Sequence, residues 1–262
     1  LIIDNKNYNE RIYIMGILNV TPDSFSDGGK FNSIDAALYR AEQIVKEGGD
    51  IIDIGGESTR PGYEKISDRE EIERTAPIIE AVSACFELPV SIDTYKSKVA
   101  EAALKAGASL VNDIWGFKAD KNMAEVTAKY NAACCLMHNR DNTDYKNFIP
   151  DVCEELSQSI EIALDAGISK DKICIDPGVG FGKTYEQNLL VIKNLEKFNS
   201  LGYPVLLGTS RKSVIGLTLG LPVDQRLEGT VATSVIAAAK GCRFLRVHDV
   251  LENKRAVVMA EK

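Results

Sequence analysis

Positive charge is in short supply in this 262-residue chain: 31 Lys and Arg stand against 38 Asp and Glu, a net charge of −7. A phosphate-backbone binder needs a basic face, so non-specific nucleic-acid binding is excluded. A small anionic substrate is not excluded, because it needs only a local cluster of cations. The chain has no run of about 18 apolar residues, so nothing reads as a membrane-spanning helix. Leu1-Ile2-Ile3 gives way at once to polar residues, which argues against a signal peptide. Without an initiator Met, the chain is expected to begin a little upstream or to have been trimmed. Six cysteines form no CxxC pair and no metal-like spacing. Cys134, Cys135 and Cys174 fall inside apolar strand patterns and Cys242 begins one, so reduced thiols packed as small hydrophobes in the cytoplasm are expected. Histidine is scarcer still, with only His138 and His248. No His/Cys/carboxylate cluster has zinc spacing, and no Gly-x-Ser-x-Gly elbow occurs.

What the chain does contain is a regular alternation. Apolar β runs are expected near 12–19, 50–55, 89–93, 109–114, 132–137, 172–176, 203–208 and 243–248. Amphipathic helical patterns lie between them. Ile34, Ala37, Leu38, Ala41, Ile44 and Val45 form one stripe, stopped by Gly48-Gly49. Ser67 with Glu70 predicts a capping box, and Pro77 a bend in the helix that follows. Val99, Ala102, Ala103 and Ala106 give a third stripe; further helices are expected at about 122–130, 150–166, 185–199 and 226–240, with a last one from 249. Eight strands and eight helices in strict alternation, with strands apolar on both faces, predict parallel pairing with helices outside. At this length the pattern favours one α/β domain over residues 1–262, a single (β/α)8 TIM barrel, over an open doubly wound sheet. The connections after the first two strands, Val20 to Phe31 and Gly56 to Ser67, exceed the usual 2–6 residues and are candidate lids.

Most of the apolar runs end in a polar residue. Asp53, Asp93, Asn112 and Asp176 are acceptors at strand C-terminal ends, where barrel active sites lie. A carboxylate offers two coplanar oxygens to a planar N–C–N edge that donates two hydrogen bonds, as aminopyrimidine and pterin rings do. A single strand-end Asp can equally cap a helix or pair with a lysine; the set together points to a ligand. A second group is cationic: Arg60, Arg211, Lys212 and Arg246, with His248 on the face of Arg246. Thr209-Ser210-Arg211-Lys212-Ser213 opens a helix after the seventh strand, a position where barrels often bind phosphate. An acidic floor with a basic rim implies a substrate with a donating heterocycle at one end and a phosphate or pyrophosphate at the other. His138 reads as a structural or rim residue. Gly178-Val179-Gly180-Phe181-Gly182-Lys183-Thr184 superficially resembles a phosphate loop, but it lacks the Walker spacing.

Taken together, these residues resemble the dihydropteroate synthase family of pterin-binding barrels from about Ile14 to Val250. The resemblance rests on Met15 to Gly29, Asp53 to Gly62, Ser91-Ile92-Asp93-Thr94, Asn112-Asp113, the Asp176 loop, Ser210 to Ser213 and Arg246 to Val250. It implies condensation of 6-hydroxymethyl-7,8-dihydropterin pyrophosphate with p-aminobenzoate. It also implies a pterin site of Asp53, Asp93, Asn112, Met137, Asp176, Phe181, Gly208 and Lys212, and a pyrophosphate site of Asn19, Thr59, Arg60, Arg246 and His248, with Asn19 ligating Mg2+. Phe25, Thr59, Pro61, Phe181, Lys212 and Ser213 would frame p-aminobenzoate. Asp27, Lys212, Asp93 and Arg246 would serve the chemistry, Asp27 beside the reacting carbon. A homodimer is implied as well.

Two other readings compete. A pterin-binding methyltransferase acting on methyl-tetrahydrofolate would share the acidic pocket but has no use for a pyrophosphate clamp. A non-catalytic pterin-binding subunit is expected to have lost loop or anion residues, and this chain has lost none.

Overall fold

A computed structural model describes residues 1–20, 30–57 and 65–262; the side chains of residues 30–33 are left aside. Among the described residues, eight parallel strands pair in one sheet. In chain order they are β1 (Tyr13–Asn19), β2 (Ile51–Gly55), β3 (Val90–Asp93), β4 (Leu110–Asp113), β5 (Ala133–Met137), β6 (Ile173–Asp176), β7 (Leu206–Leu207) and β8 (Phe244–Val247). Neighbours in sequence are neighbours in the sheet from β1 to β6, and β8 lies between β1 and β7. A parallel bridge between Ile175 and Val205, with Ile175 N–H donating to the Pro204 carbonyl at 3.0 Å, links β6 to β7 and closes the barrel.

Around it run α1 (Lys30–Lys46), α2 (Asp68–Cys85), α3 (Ser97–Lys105), α4 (Met123–Lys129), α5 (Phe148–Asp165), α6 (Tyr185–Lys193), α7 (Ser213–Leu219), α8 (Leu227–Ala239) and α9 (Val250–Ala260). The strict eight-helix count is therefore corrected: α7 and α8 both follow β7. The helix expected over 185–199 also stops early. The α-helix ends at Lys193 and a 3-10 segment, Leu195–Leu201, replaces its last turns. Ser67 caps α2 by accepting from Glu70 N–H, but the Glu70 carboxylate pairs with Arg74, so the box is only half made. Thr184 and Gln187 form a complete capping box at α6. The α2 helix continues through Pro77.

Strand parity explains the layering. Successive residues of a strand face opposite sides, so Ile14, Ile52, Ile54, Ile92, Val111, Leu136, Ile175 and Leu245 pack outward into the layer beneath the helices. Their neighbours Tyr13, Met15, Ile51, Leu110, Cys135, Cys174, Leu206 and Phe244 fill the barrel interior. A short antiparallel hairpin, Ile2–Ile3 with Lys6–Asn7, was not expected from the sequence. Leu1, Ile3 and Tyr8 join the interior layer, and the Tyr8 ring meets Tyr13 edge-on at 5.0 Å. The barrel is thus sealed at the end opposite the strand C-termini. All six cysteines are free, and Cys134, Cys135, Cys174 and Cys242 are buried. Among the described residues no helix is long and apolar enough to cross a membrane.

Candidate active site

Two residues beyond four of these interior residues, the same inward face turns polar: Ile51 is followed by Asp53, Leu110 by Asn112, Cys174 by Asp176 and Phe244 by Arg246. The register then assembles these side chains. Asn112 lies opposite Asp93 across the β3–β4 ladder, and Met137 lies opposite Asp176 across β5–β6. At the centre, Arg246 donates from Nε to Asp53 Oδ2 at 2.6 Å and from Nη2 to Asp93 Oδ2 at 2.5 Å. Asn112 Nδ2 reaches the same Asp53 oxygen at 3.5 Å.

Burial opposes charge at Asp93, Asp176, Lys212 and Arg246. It raises the pKa of Asp93, an effect Arg246 counteracts and Asp53 reinforces. Asp176 is also raised by burial, against the opposing pull of Lys212 and of the Gly178 N–H, which donates to Asp176 Oδ1 at 2.7 Å. Burial works against the Arg246 charge too, but Asp53 and Asp93 outweigh it and hold the guanidinium charged. Burial brings Lys212 down to about 8, with Asp176 opposing. The second oxygens, Asp53 Oδ1 and Asp93 Oδ1, are buried and have no hydrogen-bond partner among the described residues. Buried acceptors are ordinarily satisfied, so this pair marks where donors from a ligand belong.

The loop after β6 forms one wall. Gly178 has φ of 71°, and a Cβ there would sit 1.9 Å from the His138 carbonyl oxygen, so only glycine lets the loops after β5 and β6 touch. Phe181 offers its ring to Lys212, whose Nζ stands 4.5 Å from the centroid and donates to the Val179 carbonyl. Gly208 stays small beside Asp176: a Cβ there would come within 3.6 Å of Oδ2. On the opposite side Asn19 is exposed at the end of β1. A Cβ on Gly55 would lie 3.9 Å from Asn19 Oδ1 and 3.7 Å from Asp93 Oδ2, so the amide oxygen borders the acidic floor. His248 shares one hydroxyl twice: Ser210 Oγ accepts from its backbone N–H at 3.1 Å and lies 3.0 Å from Nδ1. Arg40 of α1 donates to the His248 carbonyl at 2.6 Å. Ser213 is exposed at the start of α7.

The structure therefore brings Asp53, Asp93, Asn112, Met137, Asp176, Phe181, Gly208, Lys212 and Arg246 around one mouth, with Asn19, His248 and Ser213 at its edge. Phe25, Asp27, Thr59, Arg60 and Pro61 lie outside the described residues, as does most of each long loop. Arg246, placed among the leaving-group cations by resemblance, is here engaged with the floor carboxylates, because its strand parity turns it inward between β2 and β3. Arg211, expected among the loop cations, is already engaged within the protein. It adopts φ of 58° and directs both Nε and Nη2 to Asp249, next to His248.

Sequence reasoning did not find Lys96. Its ammonium donates to Glu57 Oε2 at 2.6 Å, Glu71 Oε2 at 2.7 Å and the Ile66 carbonyl at 2.8 Å, pinning both ends of the second long connection. Nothing in its local sequence signals this, since the three acceptors come from distant segments.

Asn19 is a described residue whose donor type would suit a magnesium ion. Among the described residues no cluster of three or more His, Cys, Asp or Glu is arranged to hold a metal. Asn19 supplies one neutral oxygen, and Mg2+ commonly takes few protein ligands while keeping waters and phosphate oxygens.

A family model described as pterin binding enzyme matches residues 15–248. A dihydropteroate synthase of Clostridium beijerinckii is 63% identical over 262 residues, spanning 99% of this chain and 97% of its own. Two solved dihydropteroate synthases share the fold. The Clostridium difficile protein, crystallised in the presence of pteroic acid, superposes with a TM-score of 0.95 at 52% identity over 98% of each chain. The Xanthomonas albilineans protein with 4-aminobenzoic acid gives 0.92 at 40% identity, over 96% of this chain and 93% of that one.

Proposed function

The chain belongs to the pterin-binding enzyme family and within it to the dihydropteroate synthases, and we propose how its barrel mouth performs the condensation. In this reading 6-hydroxymethyl-7,8-dihydropterin pyrophosphate lies on the floor, its N–C–N edge donating to Asp176 and its remaining ring donors meeting Asp93 and Asn112. Asp53 sits beneath, Lys212 answers a ring acceptor, and Met137, Gly208 and Phe181 bound the slot. The observation that carries this assignment is the pair of buried, unpartnered oxygens on Asp53 and Asp93 beside Asp176.

The pyrophosphate then extends toward Asn19 and His248, with Thr59 and Arg60 assigned to the same end by motif. Arg246 supplies charge from the floor side. Mg2+ held by Asn19 and the pyrophosphate would neutralise charge that develops on the leaving group. The carbon–oxygen bond at the pterin methylene breaks, and its electron pair leaves with pyrophosphate. Asp27 stabilises the methylene cation. The neutral aniline nitrogen of p-aminobenzoate, framed by Phe25, Pro61, Phe181, Lys212 and Ser213, attacks and sheds a proton. No strong base is needed for a neutral amine. Closure of the two long connections would keep water from competing for the cation.

We assign the protein to the cytoplasm, in keeping with six free thiols, and take it to act as a homodimer. Supporting the dimer, Leu189 and Leu190 on α6, Leu217 and Leu219 on α7, and Val235 and Ile236 on α8 are exposed on three neighbouring helices.

The test is release of pyrophosphate from the dihydropterin pyrophosphate with Mg2+, with and without p-aminobenzoate, with product followed by chromatography. Dihydropteroate formed only when p-aminobenzoate is present is expected. Pterin binding without turnover would favour the methyltransferase or binding-subunit readings.

A further inference from the structure

Behind the pterin-facing wall lies a second polar centre that the condensation does not use. Lys183, whose motif superficially resembles a phosphate loop, directs its ammonium into protein. Nζ lies 2.8 Å from His138 Nδ1 and donates at 3.0 Å to each of the Gly178 and Phe181 carbonyls. Three acceptors match the three N–H donors of an ammonium. An ammonium only donates, so His138 Nδ1 accepts and the ring proton sits on Nε2, 3.1 Å from Glu155 Oε2. Burial and the Lys183 charge drive His138 down to about 3, so the ring is neutral. Glu155 is held in turn by Arg140. The loop is stitched elsewhere as well: Gly180 N–H donates to Asn188 Oδ1 at 2.6 Å, and the Tyr145 hydroxyl to the Gly182 carbonyl at 2.7 Å.

We infer that Lys183 is a positioning residue for pterin binding, tying the turn from Gly178 to Phe181 so that the Gly178 N–H stays on Asp176 and adding positive charge that keeps Asp176 ionised. The inference rests on the pterin reading of the floor. The geometry argues for it because the two carbonyls Lys183 holds belong to the residue that binds Asp176 and to the residue whose ring packs on Lys212. Asp176 is faced by Lys212 ahead of α7, Lys183 ahead of α6 and Arg246 on β8, with the neutral thiols of Cys135 and Cys242 nearby. Lys183 is faced by Asp176, Lys212, Glu155, Arg140 and His138. Burial brings Lys183 down to about 7, partly offset by Asp176, so below that pH it carries its charge. A carboxylate that loses a neighbouring cation titrates higher, and a protonated Asp176 loses an acceptor for the pterin edge.

The experiment is calorimetric titration of the full chain with 6-hydroxymethylpterin from pH 4.5 to 6.5, comparing wild type, Lys183→Met and Lys183→Arg. The affinity of the wild type should fall toward acid as Asp176 takes up its proton. In Lys183→Met this acid limb should move to higher pH by about 0.5 unit, below the roughly 1–3 units of a directly adjacent cation. Lys183→Arg should restore it. In an Asp176→Asn background, Lys183→Met should produce no shift. If Lys183→Met does not fold, Lys183→Gln makes the same comparison, keeping two donors without charge. A uniform loss of affinity with the limb unmoved, or a shift that persists without Asp176, would overturn the positioning role. If wild type binds no 6-hydroxymethylpterin at any pH, the pterin reading itself fails and takes this inference with it.

Discussion

Arg246 donates to Asp53 across 2.6 Å of space and 193 residues of sequence. Its other arm holds Asp93, so one guanidinium sets the spacing of two carboxylates that would otherwise repel. Removing one partner of a buried ion pair leaves the other uncompensated, which costs roughly 3–5 kcal/mol. Arg246→Met should therefore lower unfolding free energy at pH 7 by about that amount in urea denaturation. A second change, Asp53→Asn, should recover part of the loss. A single variant as stable as wild type would mean that water already screens the floor.

Asp176→Asn keeps an oxygen for the Gly178 N–H but loses the ionised acceptor. Pterin binding should weaken by about 1–3 kcal/mol, the range for a hydrogen bond to a charged group. Titration with 6-hydroxymethylpterin at pH 7 measures it directly, and unchanged affinity would move the pterin edge elsewhere.

Asp113 supplies a pH prediction remote from substrate. Buried on β4, it accepts from Trp115 N–H at 2.7 Å and Phe117 N–H at 2.9 Å, and burial lifts it to about 7. The unfolded carboxyl releases its proton near 4, so from about pH 4 to 7 the folded state binds the extra proton and this group's contribution to stability falls as pH rises. His138 has the opposite sign: folded at about 3 and unfolded near 6.5, it adds stability as pH climbs through that window. Asp113→Asn removes only the first effect. Relative to wild type, its unfolding free energy should improve between pH 4.5 and 6.5 by up to about 2 kcal/mol, given roughly 1.4 kcal/mol per proton per pH unit. Parallel pH curves for the two proteins would refute it.

Leu217 is 66% exposed on α7. A charge placed there should cost the monomer little, as surface changes usually lie within about 0.5 kcal/mol. Leu217→Glu should shift sedimentation from dimer to monomer while the melting temperature of the barrel stays near wild type. A variant that remains dimeric would place the interface on another face.

The sequence made the barrel legible because parity and burial act together. A run such as Lys172-Ile173-Cys174-Ile175-Asp176 is apolar on both sides until its last residue, and β6 occupies 173–176 as that pattern requires. Asp53, Asn112 and Asp176 could be read as a set for the same reason. Long-range partners were not legible. Parity turns Arg246 inward, but nothing near it in sequence names Asp53 and Asp93, and Lys183 meets His138 only because the glycine-bearing loop after β6 crosses the loop after β5. Some signals were present but faint. Asp4 and Asn5 both have positive φ, 48° and 61°, and close the N-terminal hairpin without the Asn-Gly or Asp-Gly pair that usually marks one. The capping box of Thr184 and Gln187 went unread in the sequence, whereas Ser67 and Glu70 suggested one that is only half made because Arg74 lies one turn away from the glutamate.

That hairpin has an electrical consequence. Leu1, Ile3 and Tyr8 stopper the base of the barrel beneath Tyr13, Met15 and Phe244, a short column of hydrocarbon below the floor carboxylates. They act as insulation. With the stopper in place, the apolar layer that lies beneath Arg246 and Lys212 is thicker and less polarisable. Part of the low-polarisability packing beneath the charge pattern at one end of the barrel thus comes from a hairpin at the other.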